Sequence, residues 1–411
     1  MSPPVSARAD CRLCGSRDLS TVLSFGETPL ANSYLSSADL GKPELFAPLV
    51  VNFCNACSLV QLRDVVDPAV LFSHYLYVSG TSPAFVAHFA DYAATMIERF
   101  SLGAESLVVD IGSNDGSLLT QFKNRGTRIL GLDPALNIAS EATARGIPTI
   151  VGFFTREAAQ VIAAGHGKAR LITANNVFAH TDDVAEFVEA VKDLLAPDGV
   201  FVFEVQYLKD LIEKNLFDII YHEHLCYYHV TPLVPFFERR GLQIVGVDRV
   251  PTHGGSIRVA VARRSGPHAR AELDEILAGE AALNDRRTYD AFAERIASNK
   301  ARLLEMIAAI KTRNERIVGY GAPAKATTLG YAFGLDRSNL EYIVDDATLK
   351  QGLFMPGTHV PITLPETLYD NPPHYCLILA WNFADAIMKS HARFRDIGGR
   401  FIIPVPEPRT V

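Results

Sequence analysis

The chain has 411 residues, 48% of them hydrophobic and 21% charged, with a formal charge of −7. That balance excludes the broad basic face that displaces counterions from nucleic acid, so no nucleic-acid partner is expected. No apolar run is long enough to span a bilayer, and the start MSPPVSARADCRLCG lacks the apolar core of a signal peptide. A cytoplasmic protein with no membrane partner is expected.

The length exceeds one core of ordinary size and calls for two or three domains. Near the N-terminus, Cys11 and Cys14 lie in CRLCG, and Cys54 and Cys57 lie in CNAC. In a reducing compartment, paired cysteines point to metal before disulfide. Two C-x-x-C turns brought together complete a tetrahedral zinc shell with no open position, which reads as structural. A thioredoxin-like redox motif fits poorly, because neither pair opens a helix after a strand. Cys226 and Cys376 stand alone and read as core residues.

From residue 106 the pattern alternates strand and helix: SLVVDIG, SLLTQFKNRG, RILGLDP, ALNIASEATARG, ARLITANN, VAEFVEAVKDLL and GVFVFEVQ. This rhythm predicts a mainly parallel sheet covered on both faces, with ligands at the carboxyl ends of the strands. The loop Asp110-Ile-Gly112-Ser-Asn114-Asp115-Gly116 ends the first strand, and Asp133 ends the second. An acidic loop with close-approach glycines suits the ammonium of a methionine tail and would repel a pyrophosphate. A carboxylate after the second strand can accept both ribose hydroxyls. The pattern is that of a class I S-adenosylmethionine methyltransferase fold. Asn175 closes a further strand at the same end, and Phe153 and Phe154 are candidates to flank an adenine.

Residues 217–229 read FDIIYHEHLCYYH. Tyr221, Glu223 and His224 supply a phenol, a carboxylate and an imidazole after a strand's carboxyl end. An imidazole removes a proton near neutral pH, a carboxylate can fix its tautomer, and a phenol can hold an oxyanion. A metal pair of His222 and His224 and a satisfied polar cluster remain alternatives. His180 in NNVFAH, Tyr77 in YLYVSGTS and His253 with Gly254 in THGGS are further candidates for the site.

The C-terminal part opens with a long helical pattern from AELDEILAG to IAAIKTR. A second α/β unit follows. Its Gly319-Tyr-Gly321-Ala-Pro-Ala324 fits the relaxed G-x-G-x-x-A fingerprint, with Lys325 just inside the next helix and Asp345 and Asp346 after the next strand. A dinucleotide would suit this loop, but a nucleotide diphosphate held by backbone amides and the Lys325 ammonium is the preferred reading. A lobe used only for packing is the third possibility.

Together CRLCG, CNAC, VVDIGSNDG, FDIIYHEHL, THGGSIR, GYGAPAK and AWNFADAI carry a resemblance over essentially the whole chain. The sequence resembles the zinc-containing sugar C-methyltransferases acting on nucleotide-linked keto-deoxysugars. The resemblance implies three domains, drawn here at residues 1–80 (zinc), 81–265 (S-adenosylmethionine) and 266–411 (Rossmann-like, sugar nucleotide). It implies 3-C-methylation of a dTDP-4-keto-6-deoxysugar, with S-adenosylhomocysteine as the other product. It further implies His224 as the base, Tyr221 as its assistant in proton handling, Glu223 as the group orienting His224, and Tyr77 and His180 as active-site residues. Cys226 stands where many members carry a small hydroxyl residue. An O- or N-methyltransferase, a zinc adaptor without activity and a nicotinamide oxidoreductase are the competing readings. A monomer or weak homo-oligomer is expected.

Overall fold

The computed structural model describes residues 4–72, 80 and 83–411. Tyr77 lies outside the described residues. The N-terminal part contains β1 (Val5–Ala7), β2 (Leu19–Pro29), β3 (Phe46–Cys54), β4 (Val60–Leu62) and β5 (Asp64–Val66). Strands β2, β3 and β4 form an antiparallel meander, and β1 pairs with β5 beside it.

The central part contains β6 (Leu107–Ile111), β7 (Arg128–Asp133), β8 (Thr149–Val151), β9 (Ala169–Asn175), β10 (Leu195–Gln206), β11 (Cys226–Tyr227), β12 (Leu242–Val250) and β13 (Ser256–Arg263). Its sheet runs in the order β12-β13-β10-β9-β6-β7-β8. Strands β6 to β10 are parallel, and β13 is antiparallel to both of its neighbours. All five residues of β6 are buried, as expected for a strand covered on both faces. The order reverses between β6 and β9, which opens a crevice at their carboxyl ends.

Strand β11 leaves this sheet and pairs with β4, so the N-terminal sheet reads β11-β4-β3-β2. The segment carrying His224 is thereby fastened to the N-terminal module.

The C-terminal part contains β14 (Ile317–Tyr320), β15 (Ile343–Val344), β16 (Ile362–Thr363), β17 (Tyr375–Ile378), β18 (Arg400–Ile403) and β19 (Arg409–Thr410). They form a second sheet in the order β16-β15-β14-β17-β18-β19, parallel except for β19.

The expected long helical stretch is broken in two. A helix covers Asp274–Gly279 and a second covers Arg287–Thr312. The break has two causes. Glu280 is fully buried and accepts bonds from Tyr207 Oη, the Val230 and Thr231 amides and Thr231 Oγ1. Asp285 then accepts the Arg287 amide at 2.9 Å and restarts the helix. The longer helix buries Tyr289, Phe292, Ile296, Leu303, Ile307 and Ile310 along one stripe. That stripe shares a core with Leu49, Val51 and Phe53 of the N-terminal sheet and with Leu208–Tyr227 side chains. Among the described residues, no helix is long and apolar enough to cross a membrane.

Candidate active site and zinc site

The two cysteine pairs are built alike. The Cys11 amide donates to the Ser16 carbonyl, and the Cys11 carbonyl accepts from Gly15. The Cys54 amide donates to the Leu59 carbonyl, and the Cys54 carbonyl accepts from Ser58. Gly15 and Ser58 both take positive φ, 73° and 63°, which turns each loop back on itself. The Sγ atoms of Cys11 and Cys57 are 3.6 Å apart, as are those of Cys14 and Cys54. All four sulfurs lie within 4.8 Å of one another. Zinc–thiolate bonds of about 2.3 Å in a tetrahedron need sulfurs roughly 3.8 Å apart, so the donor set fits zinc.

One cavity of about 690 Å³ occupies the crevice of the central sheet and runs to the C-terminal part. Its first end is acidic. Asp110, Gly112, Asn114, Asp115, Asp133 and Asn175 line it. Burial pushes the Asp110 carboxyl up to about 7, against the hydrogen bond from Thr173 Oγ1 at 2.6 Å. Asp133 is also raised by burial; its two oxygens accept the Asn114 and Ala135 amides at 2.9 Å. Each oxygen keeps a second lone pair for a ligand hydroxyl.

Gly112 has φ 66°, and a Cβ there would come 2.4 Å from Val177 Cγ2. The loop therefore leaves no space for a side chain beside the cavity. Gly116 does not line it. It starts the helix Ser117–Lys123 with φ 75°, and its missing Cβ makes way for Ile147. Of the two candidate aromatics, Phe153 lines the cavity and is 45% exposed. Phe154 also lines it, but its ring packs on Phe187 with centroids 5.1 Å apart.

The middle of the cavity holds three imidazoles: His180, His224 and His253. The His224 and His180 rings stack at 5.1 Å, and the Tyr221 ring lies 4.0 Å from His224. His224 Nδ1 bonds the Ile219 carbonyl at 2.6 Å. A carbonyl only accepts, so Nδ1 carries the proton and Nε2 keeps a free lone pair. Burial, then His180, holds His224 well below the usual imidazole range. Burial also pushes His180 and His253 down to about 4. All three are therefore neutral at pH 7. Nε2 of His180 is buried with no hydrogen-bond partner among the described residues.

Glu223 has a partner in the N-terminal part. His224 Nδ1 is taken by the Ile219 carbonyl, whereas Glu223 Oε1 accepts from Asn32 Nδ2 at 2.5 Å. His222 is not arranged as a metal partner of His224. Its Nε2 bonds the Ala47 carbonyl of the N-terminal sheet at 3.1 Å.

The far end of the cavity is basic. Lys325 and Lys350 line it, with Pro323, Ala324 and Asn382. Lys325 Nζ donates to Asn382 Oδ1 at 2.5 Å and lies 3.6 Å from the Trp381 ring centre. Burial lowers Lys325 to about 8, opposed by Asp218. Asp218 is fully buried, accepts Trp381 Nε1 at 2.5 Å, and is raised to about 6 by burial. The helix Ala324–Phe333 starts at this point and no side chain caps it.

Gly254 and Gly321 do not line the cavity. A Cβ on Gly254 would meet Leu216 at 2.8 Å and Trp381 at 3.1 Å, so this glycine serves packing of the THGGS loop. At Gly321 the Cβ space is filled by Ala380 at 2.5 Å. The fingerprint loop is also satisfied internally. Asp345 Oδ2 accepts the Ala322 amide at 2.5 Å, and Asp345 Oδ1 accepts the Ala347 amide at 2.7 Å. A carboxylate thus occupies the place where a pyrophosphate would meet that loop. Lys325 lies just inside the following helix, and Lys350 Nζ donates to the Ala322 carbonyl at 2.8 Å.

Asn32, Lys350, Trp381, Asn382, Asp182 and Asp218 were not singled out from the sequence. Trp381, Asn382 and Asp218 lie in AWNFADAI and FDIIYHEHL without a chemical role legible there, and the other three lie in stretches with no nucleotide or catalytic spacing; only the fold gathers them.

An acidic cradle and a neutral imidazole in one cavity, with a closed thiolate site nearby, define the class: a zinc-containing S-adenosylmethionine-dependent methyltransferase. Comparison with known proteins narrows it. Family models match as a zinc binding domain over residues 11–72, a methyltransferase domain over 85–247 and a C-methyltransferase C-terminal domain over 251–406. The chain is 40% identical over 405 residues to the C-methyltransferase NovU of Streptomyces niveus, covering 98% of this chain and 96% of that one. It is also 33% identical to a ubiquinone biosynthesis O-methyltransferase of Methylobacterium sp. (strain 4-46), over 29% of this chain and 50% of that one. Among solved structures, the CcbJ methyltransferase of Streptomyces caelestis overlaps 46% of this chain and 96% of its own, at 12% identity and a TM-score of 0.37. Magnesium protoporphyrin IX methyltransferase of Synechocystis PCC 6803, with bound S-adenosylmethionine, overlaps 43% and 79%, at 15% identity and a TM-score of 0.33. The chain belongs to the C-methyltransferase family that carries an N-terminal zinc binding domain.

Proposed function

We propose that the enzyme removes a proton from C3 of a nucleotide-linked 4-keto-6-deoxysugar, with dTDP as the nucleotide, and methylates that carbon. The observation that carries this reading is the polarity of the cavity at the central crevice. Its acidic end suits a sulfonium and an ammonium, its basic end suits a diphosphate, and His224 lies between them. On this reading, residues 1–80, 81–265 and 266–411 act as zinc, cofactor and sugar-nucleotide units.

S-adenosylmethionine, when bound, supplies an electrophilic methyl group on a sulfonium. Asp110, Asn114, Asp133, Phe153 and Asn175 would hold it. Gly112 and Gly116 shape the loop. His224 takes the substrate proton at Nε2, the lone pair that the Ile219 carbonyl leaves free. The developing oxyanion needs a donor in a site with little water. Tyr221 and His180 line the cavity, and the Tyr221 hydroxyl supplies it. His253, Lys325 and Lys350 bind the nucleotide end. Glu223 holds the segment in place through Asn32.

The pH profile follows from the two kinds of base. His224 is held well below the usual range, so kcat at saturating S-adenosylmethionine should not fall as pH drops through 6.5. Lys325 is lowered to about 8 and loses its charge above that pH. At saturating S-adenosylmethionine, kcat/KM for the sugar nucleotide should fall above pH 8 by about one log unit per pH unit, and kcat should change less. A kcat at saturating S-adenosylmethionine that collapses below pH 7 would contradict the buried-base assignment.

The test of the function is a nucleotide-sugar panel with S-adenosylmethionine, read by mass spectrometry. It contains 4-keto-6-deoxysugars and their 4-hydroxy counterparts. A methyl group gained only by the keto sugars is expected. A methyl gained by the hydroxy sugars would replace this reading with O-methylation.

A further inference from the structure

Among the described residues the zinc module touches the active site at several places, and one of them lies inside a cysteine pair. Arg12 sits between Cys11 and Cys14, and its side chain is 0% exposed. Its Nε donates to Asp182 Oδ1 at 2.9 Å and its Nη1 donates to the Leu62 carbonyl at 2.6 Å. Its backbone amide donates to Gln61 Oε1 at 2.9 Å. Arg8 adds a bond from Nη1 to the Asp182 carbonyl at 3.0 Å. Two arginines of the zinc module thus grip both the side chain and the backbone of Asp182.

Asp182 lines the cavity two residues after His180. The His180 ring is placed by stacking, on His224 at 5.1 Å and on Phe72 at 5.5 Å. Phe72 belongs to the N-terminal part as well. No polar bond of its Nε2 to a described residue fixes that ring. Its position therefore depends on where its own chain segment is held: Phe178, buried against Phe203 and Tyr228, anchors it on one side, and Asp182 anchors it on the other.

We propose that the zinc-bearing loop is a positioning device for the active site: Arg12 fixes Asp182, and Asp182 sets His180 against His224. The two cysteines flanking Arg12 give it a rigid base, so the metal site serves reaction geometry as well as folding. The effect on rate rests on His224 being the base, whereas the effect on ring position does not.

The test uses the full-length, zinc-loaded enzyme. Asp182→Asn keeps an acceptor and changes a side chain that is 38% exposed, so folding is retained. Zinc per chain and S-adenosylmethionine affinity should be unchanged. Displacing a reacting group by about 1 Å can cost on the order of a hundredfold, so a ten- to hundredfold fall in kcat with little change in KM is expected. The imidazole nitrogen signals of His180 and His224 should shift. Arg12→Gln should have a similar effect, and adding Asp182→Asn to it should cost no further kcat. Unchanged ring signals in Asp182→Asn would overturn the proposal. So would a double variant whose loss is the product of the two single losses, because Asp182 would then act on the ligand directly. Shifted ring signals with unchanged kcat would support the positioning and count against His224 as the base.

Discussion

His224→Asn should lower kcat by about two to four orders of magnitude while leaving S-adenosylmethionine binding within about twofold of the unaltered enzyme. His224 is 3% exposed, and its Nδ1 proton is committed to the Ile219 carbonyl. The asparagine amide can still donate to that carbonyl, so the local turn should survive. What it lacks is a basic lone pair facing the cavity. The acidic cradle of Asp110, Asn114 and Asp133 lies at the other end of the site and is not touched. Isothermal titration with S-adenosylmethionine and steady-state turnover separate the two effects. Turnover within threefold of the unaltered enzyme would remove His224 from the role of base.

Cys14→Ser should cost the protein its zinc and much of its thermal stability. Structural zinc sites contribute on the order of 10 kcal/mol of apparent binding free energy in small modules. Much less of that is at stake here, because Cys11, Leu13, Cys54 and Leu59 also pack against the central core. A loss of roughly 4 kcal/mol would lower Tm by about 10 °C or more for a domain of this size. The readouts are zinc per chain by elemental analysis and Tm by calorimetry. The variant also loosens the loop that carries Arg12, so activity should fall along with zinc content. A zinc-free variant with an unchanged Tm would contradict the structural role.

The parts of this enzyme that were legible in sequence are those whose chemistry is local. DIGSNDG is readable because one turn needs close-approach glycines and an acid together. The two C-x-x-C pairs are readable because each loop presents two ligands by itself, and the fold adds only their meeting. The strand–helix rhythm also gives the central and C-terminal sheets.

What was not legible depends on distant or featureless partners. The group that fixes His224 is a backbone carbonyl at Ile219, and a backbone acceptor has no signature in the residue type. Glu223 is met by Asn32 and Asp182 by Arg12, contacts that span 191 and 170 positions of the chain. The glycine fingerprint at Gly319–Ala324 suggested a pyrophosphate at the loop itself. Asp345 closes that loop from the next strand, and only the parallel pairing of β14 with β15 brings it there. The break at Glu280 was hidden because a glutamate suits a helix; its burial against Tyr207 and Thr231 is a tertiary matter.

On the proposed function, the enzyme forms an enolate before the methyl is transferred. The most direct measurement is solvent exchange in D2O, with a nucleotide-linked 4-keto-6-deoxysugar and S-adenosylhomocysteine in place of the methyl donor. Deuterium is expected to enter the sugar at C3, the methylated carbon beside the ketone, and His224→Asn to abolish this exchange. Methyl transfer to the same sugar with no C3 exchange under these conditions, or undiminished exchange in His224→Asn, would contradict the proposed function.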